Sequence, residues 1–190
     1  MRRFHRREFL LSAAAGAAGA GIARATVAEA PKIPRRAPEL TITLVNGQQL
    51  ALSKFKGKVI ALEFLLTTCP HCKQASAVLQ KLSEEYGPRG FQPLGAAFND
   101  MAAMFVPDYV REVGAKFPVG IAPRDKVISF IQHPMNQMLY TPILLFIDRG
   151  FNIRAQYGGM DDFFLNEEAN MRGMIEKLLS EAPAGKAKRK

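Results

Sequence analysis

Val59-Ile60-Ala61-Leu62-Glu63-Phe64-Leu65-Leu66, running on through Thr67-Thr68 into Cys69-Pro70-His71-Cys72, is the stretch on which the whole chain turns. Its first eight residues are apolar except Glu63 and are bounded by Gly57 and Thr67, the pattern of a strand buried on both faces of a parallel or mixed sheet. Beyond it, Ala75, Val78, Leu79 and Leu82 recur at helical spacing until Gly87-Pro88 stops the pattern, which predicts one long helix over Cys72 to Tyr86. The two cysteines stand at the joint between strand and helix. They are the only two in the chain, and chance would set two cysteines at this separation about one time in a hundred.

Working outward, Leu40 to Val45 alternates, Asn46-Gly47 supplies a turn, and Gln48 to Leu52 alternates again, which predicts a hairpin. After the long helix come a strand over Phe91 to Phe98, a helix from Met101 to Val113 ending at Gly114, a strand over Phe117 to Ala122, and a short helix over Asp125 to Gln132. Pro142 to Asp148 reads as another apolar strand, turned by Arg149-Gly150 into Asn152 to Tyr157, and Glu167 to Ser180 as a closing helix. Such alternation predicts an α/β domain, a mixed central sheet flanked by helices on both faces.

Charge separates this body from its ends. The 190 residues carry a formal charge of +9, but residues 1–38 hold eight Arg or Lys against Glu8 and Glu29, and Lys186, Lys188, Arg189 and Lys190 close the chain. The body, 39–184, has 14 basic and 15 acidic side chains. A body so balanced offers no footprint for a phosphate backbone, so nucleic acid is not expected as a partner. Residues 1–28 read as a processing segment: Arg2, Arg3, Arg6 and Arg7 precede an Ala- and Gly-rich run, and Arg6-Arg7-Glu8-Phe9-Leu10 resembles the twin-arginine export motif. Ala23-Arg24-Ala25 and Thr26-Val27-Ala28 both offer small-residue cleavage sites. Residues 29–38, with three prolines and three basic side chains between Pro31 and Pro38, predict an extended linker, and 185–190 a solvated basic tail.

The pair Cys69 and Cys72 sits where a helix begins, and the positive end of the helix dipole with its unpaired N–H groups stabilises a thiolate there. Cys69 is expected to be exposed and to attack. Cys72, one turn in, is expected to be the buried resolving thiol that closes a small disulfide ring. Other chemistries fit less well. A c-type haem site needs His after the second Cys, where Lys73 stands. Zinc needs four ligands, and only His71 and His133 accompany the pair. A purely structural bridge across two residues would restrain almost no chain. No metal and no cofactor are expected.

With Thr141-Pro142 opening a later apolar strand, these features resemble a thioredoxin fold. The segments Gly47 to Lys58 and Thr141 to Gly150 resemble the exported TlpA/ResA-type branch, and the 72 residues from Cys69 to Thr141 leave room for that branch's helix-strand insertion. The resemblance implies a thiol-disulfide oxidoreductase of the periplasm or another extracytoplasmic space. It would exchange the Cys69/Cys72 disulfide with protein thiols of the cell envelope and be recycled by a redox partner, without a membrane span in the mature form. It departs from the branch in having Thr68 where Trp is usual, and in Pro70-His71, a dipeptide resembling that of strongly oxidising thiol oxidases.

Glu63, the one ionisable residue of its strand, lies six residues before Cys69, and Glu63-Phe64 resembles the buried Asp-Phe pair of thioredoxins. A buried carboxyl there would titrate high enough to take a proton from Cys72. Pro142 resembles the family's cis-proline, set against the cysteines and leaving the Thr141 backbone to a partner's extended chain. Pro70 and His71 would tune the pair, His71 by supporting the Cys69 thiolate. Two alternatives stay open. A peroxiredoxin-like peroxidase has the Pro-x-x-x-Thr-x-x-Cys motif, but Thr67 lies two residues before Cys69 rather than three, and no Pro occurs within Val59 to Thr68. A copper-delivery protein of related fold would use the cysteines with His133, near Met135 and Met138.

Overall fold

The computed structural model describes residues 31–134 and 136–181. The expected twin-arginine segment, both cleavage sites, the first two linker residues, Met135 and the basic tail lie outside them. In chain order the elements are β1 (Arg35–Arg36), β2 (Thr41–Leu44), β3 (Gln49–Ala51), β4 (Val59–Leu65), α1 (Pro70–Tyr86), β5 (Phe91–Ala97), α2 (Ala102–Val113), β6 (Val119–Ile121), α3 (Arg124–Ile131), β7 (Ile143–Ile147), β8 (Asn152–Tyr157) and α4 (Glu167–Ser180). The strands form one sheet in the order β1-β8-β7-β4-β5-β6-β2-β3. β4 runs parallel to β5 and antiparallel to β7, so the sheet is mixed and its most apolar strand is interior. The expected hairpin is β2 against β3, and β2 joins the rest of the sheet through β6. The α2-β6 pair lies in the segment between the cysteines and Thr141, where room for an insertion was expected.

Strand alternation divides the core in two. On one face Val59, Ala61 and Leu65 of β4 pack with α1, α2 and α4 through Leu79, Leu82, Val106, Tyr109, Met171 and Ile175. On the other, Ile60, Leu62 and Phe64 pack with the hairpin and with Val127, Phe130 and Ile131 of α3. Because successive strand residues point to opposite faces, Glu63 shares the side of Ala61 and Leu65, beneath α1. This register turns the one ionisable residue of β4 toward the helix that begins at the cysteines.

Three expectations are corrected. The segment 29–38 is not a free linker throughout: Arg35–Arg36 pair antiparallel with Ile153 and Asn152 of β8, and Ala37 is buried. Arg35 also donates from Nη2 to the Phe130 carbonyl and to Gln156 Oε1, so the folded body begins at Arg35 rather than Glu39. The strand expected over Phe117 to Ala122 contracts to Val119–Ile121, since Pro118 has no N–H to give to a ladder. α1 starts at Pro70, two residues before its apolar periodicity shows, because Pro is well suited to the first helical position.

Candidate active site

Cys69 is the N-cap of α1, with extended backbone (φ −84°, ψ 115°), a position usually taken by Ser, Thr, Asp or Asn. Its Sγ accepts the Cys72 N–H at 3.2 Å, so the sulfur stands where a capping oxygen normally does and faces the positive end of the helix. The preceding loop is clamped by Asn99, just past β5, whose Oδ1 accepts the Thr67 N–H at 2.9 Å and whose Nδ2 donates to Thr67 Oγ1 at 3.0 Å. Thr68, the residue standing in the usual Trp position, is exposed, Cys69 is half-buried, and Cys72 has no exposure. Both thiols are free. Burial, with the Glu63 charge next in importance, holds the Cys72 thiol well above its ordinary range.

The Thr141-Pro142 peptide is cis, and the Cys69 thiol donates to the Thr141 carbonyl at 3.9 Å, so the residues picked out before β7 do meet those before α1. Gly159 makes that approach possible. A Cβ on Gly159 would lie 2.5 Å from the Thr141 carbonyl carbon and closer still to its oxygen. Its own N–H donates to the Tyr140 carbonyl at 3.2 Å.

Glu63 has no solvent exposure, and burial, above all, pushes its carboxyl up to about 8. The Ser76 hydroxyl, 2.6 Å from Glu63 Oε2, opposes this shift, while the charges of Cys69 and Glu167 add to it. The other carboxyl oxygen, Oε1, is buried without a hydrogen-bond partner among the described residues. Tyr109 of α2 reaches across, with its Oη 2.8 Å from Ser76 Oγ and 3.0 Å from the Cys72 carbonyl oxygen. Lys73 is ion-paired with Glu112, which leaves neither it nor Lys58, bonded to Gln92, holding Glu63.

His71 is half-buried and turned onto an aromatic run. Its ring meets Phe164 edge-on at 5.1 Å between centroids, and Phe164 continues through Phe163 to Tyr157. Glu167, at the start of α4, feels the charge of His71, although burial holds that carboxyl above its ordinary range. His133 stays within its own loop, Nε2 lying 3.1 Å from the Gln137 carbonyl oxygen. Among the described residues no three of His, Cys, Asp and Glu gather as a metal-binding group.

Ser76, Asn99, Tyr109 and Gly159 escaped the sequence reading. Ser76 carried one usable signal, a polar residue four beyond Cys72 on the buried side of the helix. The other three are assembled only by the packing of separate elements.

Residues 33–156, well over half of the chain, match the AhpC/TSA family. The chain belongs to the AhpC/TSA family. This AhpC/TSA member is 30% identical over 101 residues to the thiol-disulfide oxidoreductase ResA of Bacillus anthracis, a match covering 53% of this chain and 58% of the relative. It is 28% identical over 136 residues to the ResA of Halalkalibacterium halodurans, covering 70% of this chain and 74% of that one. The AhpC/TSA member thus spans less than two thirds of the first of these relatives. The crystal structure of a thiol:disulfide interchange protein of the thioredoxin family from Chlorobium tepidum aligns with a TM-score of 0.65 at 23% identity, over 79% of this chain and 99% of that one. The fold of this AhpC/TSA member is thioredoxin-like.

Proposed function

We propose that this protein is an exported thiol-disulfide oxidoreductase that passes a disulfide between the Cys69/Cys72 pair and protein thiols of the cell envelope. The observation that carries the reading is the inequality of the two sulfurs. Cys69 caps a helix N-terminus with its Sγ at a backbone N–H and is partly open to solvent, whereas Cys72 is closed off beside a buried carboxyl. Acting as a reductant, the Cys69 thiolate attacks a partner disulfide, and one partner sulfur leaves as thiolate. The Cys72 thiol then gives its proton to ionised Glu63 and attacks Cys69. The Cys69–Cys72 bond forms as the bond to the partner breaks, and the partner's second sulfur departs as thiolate. The reverse sequence oxidises a partner dithiol.

In this reading Thr141 and Pro142 receive the partner's backbone, and Pro70 and His71 tune the potential. Relatives that carry the name ResA support the activity. The Arg6-Arg7-Glu8-Phe9-Leu10 motif supports twin-arginine export and a periplasmic or other extracytoplasmic site of action. Among the described residues no helix is long and apolar enough to cross a membrane. The test is trapping in the native host: Cys72→Ala should accumulate mixed disulfides through Cys69, and Cys69→Ala should accumulate none. Equal trapping by both variants would contradict the assignment, and stoichiometric consumption of peroxide without mixed disulfides would move the protein to a peroxidase.

A further inference from the structure

We infer that Tyr109, acting through Ser76, is a positioning residue that favours the protonated form of Glu63, because the hydroxyl chain the two form between Glu63 and the Cys72 carbonyl is complete only when Glu63 is protonated. The inference rests on the proposed exchange chemistry and assigns its proton acceptor a supporting structure. Three oxygen–oxygen contacts run in series: Glu63 Oε2 to Ser76 Oγ at 2.6 Å, Ser76 Oγ to Tyr109 Oη at 2.8 Å, and Tyr109 Oη to the Cys72 carbonyl at 3.0 Å. Each contact needs one proton between its oxygens. The carbonyl at the far end has none to give. Ser76 and Tyr109 bring one each, and burial first, then the Glu63 charge, keeps the phenol protonated at any ordinary pH. Only the carboxyl can supply the third.

With Glu63 neutral, every donor points one way: Glu63 gives to Ser76, Ser76 to Tyr109 and Tyr109 to the carbonyl. With Glu63 ionised, Ser76 must turn its proton back to the carboxylate. Tyr109 must then choose between Ser76 and the carbonyl, and one close contact is left without a proton. Such a contact inside a buried network is costly. When Cys72 gives up its proton during resolution, the proton that arrives on Glu63 is the one the chain lacks.

The groups facing Glu63 are few. They are Cys69, Cys72 and Ser76 from α1 and its cap, Tyr109 from α2 and Glu167 from α4, while the flanking strands bring uncharged Gly95 and Leu144. Among the described residues no cation stands with them to hold the carboxylate ionised, so burial sets the high titration and the hydroxyls adjust it.

The two hydroxyls predict opposite shifts. Ser76→Ala removes the single hydrogen bond made to the carboxyl, which costs the ionised form more, and Glu63 should titrate higher. Tyr109→Phe costs the neutral form two contacts and the ionised form one, so Glu63 should titrate lower. Each shift should be roughly half to one pH unit. The measurement is carbon NMR of Glu63 in the reduced, glutamate-labelled full chain, with the signal assigned by its loss in Glu63→Gln. Shifts of both variants in the same direction, or an unmoved Tyr109→Phe, would overturn the inference. If either variant does not fold, wild type decides: its infrared spectrum near neutral pH should hold a neutral carboxyl band that Glu63→Gln removes, and a carboxylate alone would overturn the inference. The readout does not depend on turnover. Normal Glu63 shifts without mixed-disulfide trapping would refute the proposed function alone, and trapping without the shifts would refute the hydroxyl chain alone.

Discussion

Replacing Glu63 by Gln should make the reduced protein more stable in neutral and alkaline solution and remove a pH dependence that wild type carries. Gln keeps the shape of the carboxyl and can still meet the Ser76 hydroxyl, but it never bears a charge. In wild type the folded carboxyl titrates at about 8 against an ordinary value of 4.5. Between those values the folded chain binds a proton that the unfolded chain has released, so stability must fall as pH rises. The contribution is intact below about 4.5 and is lost as pH passes through about 8. At about 1.4 kcal/mol per pH unit the loss reaches at most about 5 kcal/mol, of which no more than about 3.5 kcal/mol is incurred by pH 7. Urea unfolding of wild type and Glu63→Gln, each kept reduced, should be run from pH 5 to pH 8. Glu167 also titrates high, but it is present in both proteins and cancels in the difference. The two stabilities should converge at the acid end and separate steadily toward pH 8, with the variant the more stable. Parallel profiles, or a wild type that gains on the variant as pH rises, would mean that the folded protein does not raise the titration of Glu63, and the preference of the hydroxyl chain for its protonated form would fall.

Gly159→Ala should slow attack by Cys69 on a model disulfide and cost on the order of 1–3 kcal/mol in urea unfolding, since the added methyl overlaps the Thr141 carbonyl; unchanged kinetics would show that the Thr141 contact is dispensable. His71→Thr should lower the reduction potential by tens of millivolts, at about 30 mV per 1.4 kcal/mol, by removing a cationic form that supports the thiolate at the helix start. Equilibration with glutathione checks it, and an unmoved potential would leave His71 only its packing against Phe164. Replacing Arg6 and Arg7 with Lys should strand precursor in the cytoplasm, as fractionation would show; unchanged export would remove the twin-arginine reading.

How far the sequence carries this molecule can be judged residue by residue. β4, α1 and the cysteines between them were legible because a long apolar run, a helical period and two isolated cysteines are local patterns. Glu63 was legible as an exception inside such a run, and Pro142 because a proline opening an apolar strand is conspicuous. Tyr109 was not, since periodicity says that α2 has a buried face but not that this face meets α1 at Ser76. Nor was Gly159, whose role is a close approach between two segments that only the finished sheet brings together. Arg35–Arg36 could not be read as a strand, because two residues shut between prolines hold no alternation, and their pairing depends on β8 being there first. His71 was singled out for its charge, but its contact with Phe164 depends on the turn at Asp162–Asn166 folding back over the helix start.

The rims of the sheet have a consequence for how this protein meets other chains. One outer strand is the two-residue β1, preceded by Pro34 and built from two arginines, and the other is the three-residue β3. Short edges, and at β1 a charged and proline-flanked one, are poor templates for aggregation, because an incoming strand finds too few open backbone groups in a row to extend the ladder. The proposed exchange with extended partner chains would expose the protein to that hazard. Rims built this way turn away indiscriminate strand addition at both borders and leave adhesion to the neighbourhood of the sulfurs, where release is built into the chemistry.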